Sequence, residues 1–200
     1  LSGLAVWVDP AQSNLLTFKQ LQSFNCRLIE KRAPSVAMKA VKNSVEIDNW
    51  KNCFVRDGVA MVKFLNWFYK NVGSGVLTER IVSNQIDAER AKLELFRGLS
   101  FTTIPAYGPN AAMMHYGLKE GLDTPVKPEG FFLLDSGGQY DDGTTDITRT
   151  FVCGPCSDEQ QRHFTLVLKG MLRLSAAIFM QGTRGLQLDI LARQALWNEG

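Results

Sequence analysis

The sequence predicts a mixed α/β chain of the α+β kind, and three observations predict it. Apolar residues recur at helical spacing over residues 50–68, with Trp50, Phe54, Met61, Leu65 and Phe68 three, four or seven apart. From residue 101 onward the period changes to that of strands, with residues 131–135 and 144–152 flanking a Gly- and Asp-rich turn. The first residues read as strand, turn, helix and strand, a piece of an α/β unit. The 200 residues are 45% hydrophobic and 21% charged, which excludes wholesale disorder. A formal charge of +2 gives no electrostatic reason to expect nucleic acid, and no apolar run is long enough to span a membrane. Four cysteines do not make a disulfide scaffold, so a reducing cytoplasmic setting is the default.

Taken in order, residues 4–8 form a strand ending at Asp9-Pro10, residues 15–21 a short helix, and residues 26–29 a second strand. One helix cannot cover both faces of a sheet, so residues 1–35 read as the tail of a smaller α/β domain whose beginning is missing. The break at Lys31-Arg32-Ala33-Pro34-Ser35 marks the boundary, and residues 36–200 form the second domain. The long amphipathic helix places Lys51, Asp57 and Lys63 off its apolar face, and Gly73 and Gly75 stop it. Residues 78–96 read as a helix with a cap-like Thr78 start, ended by Gly98. Residues 101–104 and 112–116 read as strands around a turn-rich link. Ser157 caps a helix running to about Met180, and a last helix begins near Leu186 and is still running at Trp197. Both ends look cut from a longer chain.

Asp135 closes the apolar strand Phe131-Phe132-Leu133-Leu134, and Asp146 sits inside a Thr-rich strand. A hairpin centred between Tyr140 and Asp141 makes them direct cross-strand partners on one face, with Cβ atoms roughly 4.5–5.5 Å apart. Two ionised carboxylates there repel each other, and a divalent cation offsets the repulsion. The alternative is turn chemistry, which suits Asp141 and Asp142 better, or neutralisation of an Asp by Arg149.

The stretch Leu134-Asp135-Ser136-Gly137-Gly138-Gln139-Tyr140, with Asp142-Gly143-Thr144-Thr145-Asp146-Ile147-Thr148-Arg149-Thr150, closely resembles the metal hairpin of the Xaa-Pro aminopeptidases. Ile104-Pro105-Ala106-Tyr107-Gly108-Pro109-Asn110-Ala111-Ala112 and His115-Tyr116 are similar to that family's histidine strand. Lys42-Asn43-Ser44-Val45-Glu46-Ile47, Arg56-Asp57-Gly58-Val59-Ala60, and Leu188-Asp189-Ile190-Leu191-Ala192-Arg193 with Leu196-Trp197 match two of its helices. The resemblance covers residues 36–200, and more weakly the first 35.

What it implies is a pita-bread catalytic domain, truncated, after the tail of a creatinase-like α/β domain. Asp135 and Asp146 would be two of five ligands of a dinuclear site, with manganese first and zinc or cobalt as alternatives. His115 would line the substrate site and hydrogen-bond the reacting peptide group. The remaining His and two Glu ligands fall after the position matching Gly200. The expected activity is removal of the N-terminal residue from peptides whose second residue is proline, by a metal-bridging hydroxide. The truncated chain alone is expected to be inactive. Partners would be Xaa-Pro peptides, with no nucleic acid and no membrane, and the family is often dimeric. The alternatives are a prolidase of the same fold and a non-catalytic pita-bread binding module.

Cys153-Gly154-Pro155-Cys156, after a strand and before a helix, is the competing signal of a thioredoxin-like dithiol. Val152 stands where thioredoxins have Trp, and Ser157 puts the helix start several residues past the first thiol. The redox reading therefore ranks below the metal one. Cys26 and Cys53 read as ordinary buried or half-buried thiols and His163 as a surface or helix-packing residue. Ser136-Gly137-Gly138 lacks the Lys and following helix of a phosphate loop.

Overall fold

The structure, a computed structural model, describes residues 2–200, and the chain divides into two units, one ending at Lys51 and the other Asn52–Gly200. The first opens on strand β1 (Ala5–Val8), helix α1 (Leu15–Ser23) and strand β2 (Arg27–Glu30), with β1 and β2 parallel. Asp9 ties this unit together. Its Oδ1 accepts the Ala11 N–H at 2.9 Å and its Oδ2 the Ala33 N–H at 2.7 Å, so one carboxylate holds the turn after β1 and the chain after β2. Asn14 caps α1 through its side-chain oxygen. Helix α2 (Pro34–Ala40) lies where the sequence showed only a break, with Pro34 at a first-turn position that needs no N–H donor.

Helix α3 (Ser44–Asn71) belongs to the second unit from Asn52 onward. Its buried residues are Cys53, Asp57, Ala60, Met61, Phe64 and Phe68, a stripe rotated from the predicted one. Trp50 and Phe54 are each 41% exposed. The stripe differs because Asp57, read from sequence as an outward residue, is fully buried. Helix α4 (Glu79–Ala91), capped by the Thr78 hydroxyl, ends five residues before Phe96. Phe96, predicted as the helix's last residue, instead opens strand β3 (Phe96–Leu99), because its ring packs edge-on against Tyr140 at 5.7 Å and the strand pairs with the hairpin.

Strand β4 (Ile104–Tyr107) contains Pro105, which an edge strand tolerates. Residues 108–112 form a 3-10 turn, and His115 follows in a further turn rather than in the predicted strand. The physical reason is Gly108-Pro109. Gly108 takes φ +55°, and Pro109 then fixes a helical φ.

Strands β5 (Phe131–Ser136), β6 (Gly138–Tyr140), β7 (Gly143–Thr144) and β8 (Ile147–Val152) make one long hairpin that serves two sheets. Its base pairs with β4 in the order β4-β5-β8, and its tip pairs with β3 in the order β3-β6-β7. Phe132, Leu134 and Ser136 face the core, where Phe132 stacks on Phe151 and Phe68 packs edge-on or tilted against both, with centroids 4.8–5.7 Å apart. Phe131, Leu133 and Asp135 point to the other face. There helix α5 (Asp158–Ser175) lays Phe164 against Phe131 at 5.4 Å. Ser157 and Gln160 complete the capping box of α5, which ends at Ser175, short of the predicted Met180. Helix α6 (Gly185–Trp197) packs closely on α5. A Cβ at Gly170 would stand 2.0 Å from the Ala192 carbonyl oxygen.

Candidate metal centre

The hairpin turn has two residues, Asp141 and Asp142. Tyr140 therefore pairs with Gly143, Gln139 with Thr144, and further down Asp135 with Thr148. Asp135 and Asp146 are not direct partners, as the sequence reading had them. A hairpin centred on the Tyr140–Asp141 bond would put Tyr140 in the two-residue loop, whereas Tyr140 is held in the strand by Asp57 and Phe96 and the loop falls one residue later. The resulting shift is two residues, so both carboxylates keep the same face. Thr145 is buried, Asp146 exposed, Ile147 packed on the core and Thr148 exposed, which is the alternation this requires. The two aspartates become diagonal neighbours, whose separation is about 7–8 Å between Cα atoms in a regular ladder.

They also lie where the ribbon passes between its two sheets. Neither Gly137 nor the pair Thr145–Asp146 belongs to a strand. At this bend a Cβ on Gly137 would sit 2.0 Å from the Thr145 carbonyl oxygen and 2.4 Å from Ser100 Oγ, so only glycine fits. Ser100 braces the bend, its hydroxyl donating to Thr145 O at 2.8 Å and its N–H to Gly137 O at 3.2 Å. The Thr145 hydroxyl accepts the Gly138 N–H at 2.9 Å.

Asp135 Oδ1 accepts the Thr148 hydroxyl at 2.7 Å, and among the described residues neither Asp135 nor Asp146 forms an ion pair. Arg149 does not neutralise them. It pairs with Leu134, on the opposite face from Asp135, and donates to the Thr148 carbonyl at 2.8 Å. Two carboxylates free of cationic partners, offering hard oxygen donors on one face, fit a divalent metal ion. Among the described residues no group of three or more His, Cys, Asp or Glu side chains is placed to hold one.

His115 is exposed on a separate segment, with no hydrogen bond to either aspartate. A cavity of about 270 Å³ lined by Gly108, Ala111, Phe131, Leu133, Thr150 and Gln160 joins the 3-10 turn that leads to His115 with the sheet face of Asp135. His163 lies exposed on α5, as expected.

The tip of the ribbon is clamped by ion pairs absent from the sequence reading. Asp57 Oδ1 and Oδ2 accept Arg90 Nε at 2.7 Å and Nη2 at 3.1 Å, and Oδ1 also accepts the Tyr140 hydroxyl at 2.6 Å. Asp57 and Arg90 are fully buried. Burial, and then the hydrogen bond to Asp57, push the Tyr140 phenol well above its usual range. Arg56 donates to Asp142 at 2.6 Å and lies over the Tyr140 ring, and this pairing raises its pKa. Arg97 forks onto Asp141 and holds that exposed carboxyl below the usual range. Three consecutive residues are thus held from two elements, Tyr140 and Asp142 by Asp57 and Arg56 of α3 and Asp141 by Arg97 of β3. The available signal was Asp57 itself, three to four positions from Cys53, Ala60 and Met61 on the helix.

Residues 49–200 match metallopeptidase family M24. The chain belongs to that family. An M24 relative from Aspergillus clavatus, a probable Xaa-Pro aminopeptidase P, is 44% identical over 173 residues, which are 86% of this chain and 26% of the relative. A probable Xaa-Pro aminopeptidase P from Tuber melanosporum is 44% identical over 170 residues, 84% of this chain and 28% of its own length. The chain thus spans about a quarter of the length of these relatives. Among solved M24 structures, the X-prolyl aminopeptidase of Caenorhabditis elegans, described as a cytosolic enzyme with a di-nuclear active site, superposes with a TM-score of 0.81 at 30% identity. It covers 98% of this chain and 40% of its own. The prolidase of Pyrococcus furiosus superposes with a TM-score of 0.74 at 22% identity, covering 98% and 56%. The fold is the pita-bread fold of M24 enzymes. No described helix is long and apolar enough to cross a membrane.

Proposed function

We propose that this chain is part of an Xaa-Pro aminopeptidase, in which Asp135 and Asp146 are two ligands of a dinuclear site and His115 is a substrate-site residue. The observation that carries it is the pair of carboxylates on one face of a braced ribbon, free of cationic partners, in a chain of this family. A pair of divalent cations supplies Lewis-acid polarisation of the scissile carbonyl and activation of water when bound. Manganese suits carboxylate donors, with zinc and cobalt as the alternatives. The chain's own part is to present two oxygen donors from a rigid bend and to bring His115 toward the peptide. Proline's tertiary amide has no N–H and a fixed φ, so its hydrolysis needs a site shaped for the ring. The cavity between the 3-10 turn and the sheet is apolar enough on its Phe131–Leu133 side to take part in that shaping. We also propose that residues 1–35 close an N-terminal α/β domain and residues 36–200 begin the catalytic one. The parallel βαβ piece supports the first part and the family match from residue 49 the second, while the first compact unit runs on to Lys51.

The test is hydrolysis by the full-length protein, with bound metal counted. A tripeptide with proline second should lose its first residue, and the corresponding Xaa-Pro dipeptide should be the poorer substrate. Asp135→Asn and Asp146→Asn should each abolish hydrolysis and lower bound metal while the circular dichroism spectrum stays unchanged. Preference for the dipeptide would favour a prolidase, and full activity in either variant would remove the metal assignment.

A further inference from the structure

Glu79, the first residue of α4, is fully buried, and among the described residues no Lys, Arg or His pairs with it. A carboxylate removed from water is costly unless donors surround it. Three donors do so here. Glu79 Oε1 accepts the Tyr107 N–H at 2.8 Å and the Asn110 amide at 2.9 Å, and Oε2 accepts the Tyr116 hydroxyl at 2.8 Å. The Asn110 amide also lies 3.1 Å from the Tyr116 hydroxyl and 3.0 Å from Thr124 Oγ1. The Glu79 N–H in turn donates to the Thr124 carbonyl at 3.0 Å. One residue therefore holds the start, the middle and the end of the segment from Tyr107 to Thr124.

His115 sits in that segment, next to Tyr116. Its φ is +57°, in the left-handed region, which non-glycine residues occupy only where the surroundings impose it. The His115 side chain is exposed and has no hydrogen-bond partner of its own among the described residues, so its place is set through its neighbours. The nearest fixed neighbour is Tyr116, whose hydroxyl ends on Glu79. We propose that Glu79 is a positioning residue for His115, acting through Tyr116 and Asn110 as an uncharged-donor anchor beneath the substrate segment. This rests on His115 serving the Xaa-Pro substrate, as proposed above.

The test is a double-mutant cycle in the full-length protein. Tyr116→Phe removes one donor and leaves the other two on Glu79, so it should fold even if Glu79→Gln does not. Tyr116→Phe is expected to lower kcat/KM on a proline-second tripeptide by roughly tenfold to a hundredfold, with bound metal unchanged. Added to His115→Ala, it should cause no further loss, because its effect passes through His115. A purely structural role would multiply with His115→Ala instead, and that result, or wild-type kinetics in Tyr116→Phe, overturns the proposal. Inactivity of the wild type toward all proline-second peptides would mark failure of the parent reading. Hydrogen exchange at residues 108–118 then decides the anchor by itself: faster exchange in Tyr116→Phe supports it, and unchanged exchange refutes it.

Discussion

Asp135 lies opposite Thr148, and the Thr148 hydroxyl donates to Asp135 Oδ1 at 2.7 Å. One carboxylate oxygen is thereby oriented while Oδ2 stays free for a cation. Partners that orient a ligand are worth roughly ten- to a hundredfold in metal affinity. Thr148→Val keeps the β-branched shape and deletes the donor. Metal titration of the full-length protein should show affinity lowered within that range, with the fold intact. An unchanged affinity would show that the hydroxyl plays no part in holding the ligand.

The buried Asp57–Arg90 pair should behave asymmetrically. Asp57→Asn leaves the Arg90 charge in the core without its counter-charge, an error that costs about 3–5 kcal/mol. Replacing both, as Asp57→Leu with Arg90→Met, should restore most of that loss in urea denaturation. Tyr140→Phe removes only the hydroxyl bond to Asp57 and should cost about 1.5–3 kcal/mol. Equal losses in the single and double variants would mean that the charges are not coupled.

Gly137→Ala tests the bend. The added methyl would meet backbone, the Thr145 carbonyl at 2.0 Å, and backbone cannot swing aside as a side chain can. The expected outcome is a protein of lower melting temperature and reduced metal content, because both aspartates flank the displaced segment. Normal metal content in a stably folded Gly137→Ala would show that the two sheets shift without disturbing the ligands.

The thiols should fail as a redox pair. Cys153 is buried, and burial, with Cys156 nearby, pushes its pKa up to about 12, away from the low values of reactive thiols. At pH 8 iodoacetamide should label the half-buried Cys156 and leave Cys153 unmodified in the native state. Changing both to Ser should leave peptidase turnover within about twofold and insulin reduction at background.

Asp87 offers a pH test. Desolvation raises its carboxyl pKa, partly countered by the Thr103 hydroxyl at 2.6 Å and by Arg90. A raised pKa means the folded state holds the proton more tightly than the unfolded one. That contribution is fully present below the free-carboxylate pKa of about 3.9 and is lost as pH rises through the folded value. Asp87→Asn keeps an acceptor for Thr103 and never ionises. It should melt above wild type at pH 7, and the difference should shrink toward pH 4. A difference independent of pH would assign the effect to packing.

Asp135 was legible because it interrupts an apolar strand. Its partner was misplaced because the turn was centred one residue too early, and Asp141 and Asp142 are held in the turn by Arg97 and Arg56, 44 and 86 residues away. Helix α3 was legible from its period, but its facing was not. Hydropathy alone expels Asp57, and only Arg90 on another helix makes its burial tolerable. The end of the second helix at Phe96 and the strand at 112–116 were misassigned for the same reason: Phe96 is drawn into a strand by Tyr140, and the chain around His115 is shaped by Glu79. Local patterns announced the elements, while long-range charge pairs decided their registration.

The ribbon's tight turn also limits how this chain can vary in length. Inserting or deleting one residue between Tyr140 and Gly143 would carry every later side chain of the returning strand to the opposite surface, Asp146 included, while Asp135 stayed where it is. A change of two would restore the facing but slide Asp146 along the strand by one repeat, either level with Asp135 or a step farther off. Natural length variation should therefore collect at residues 119–123, where the chain runs exposed outside regular structure, and be absent from the hairpin tip.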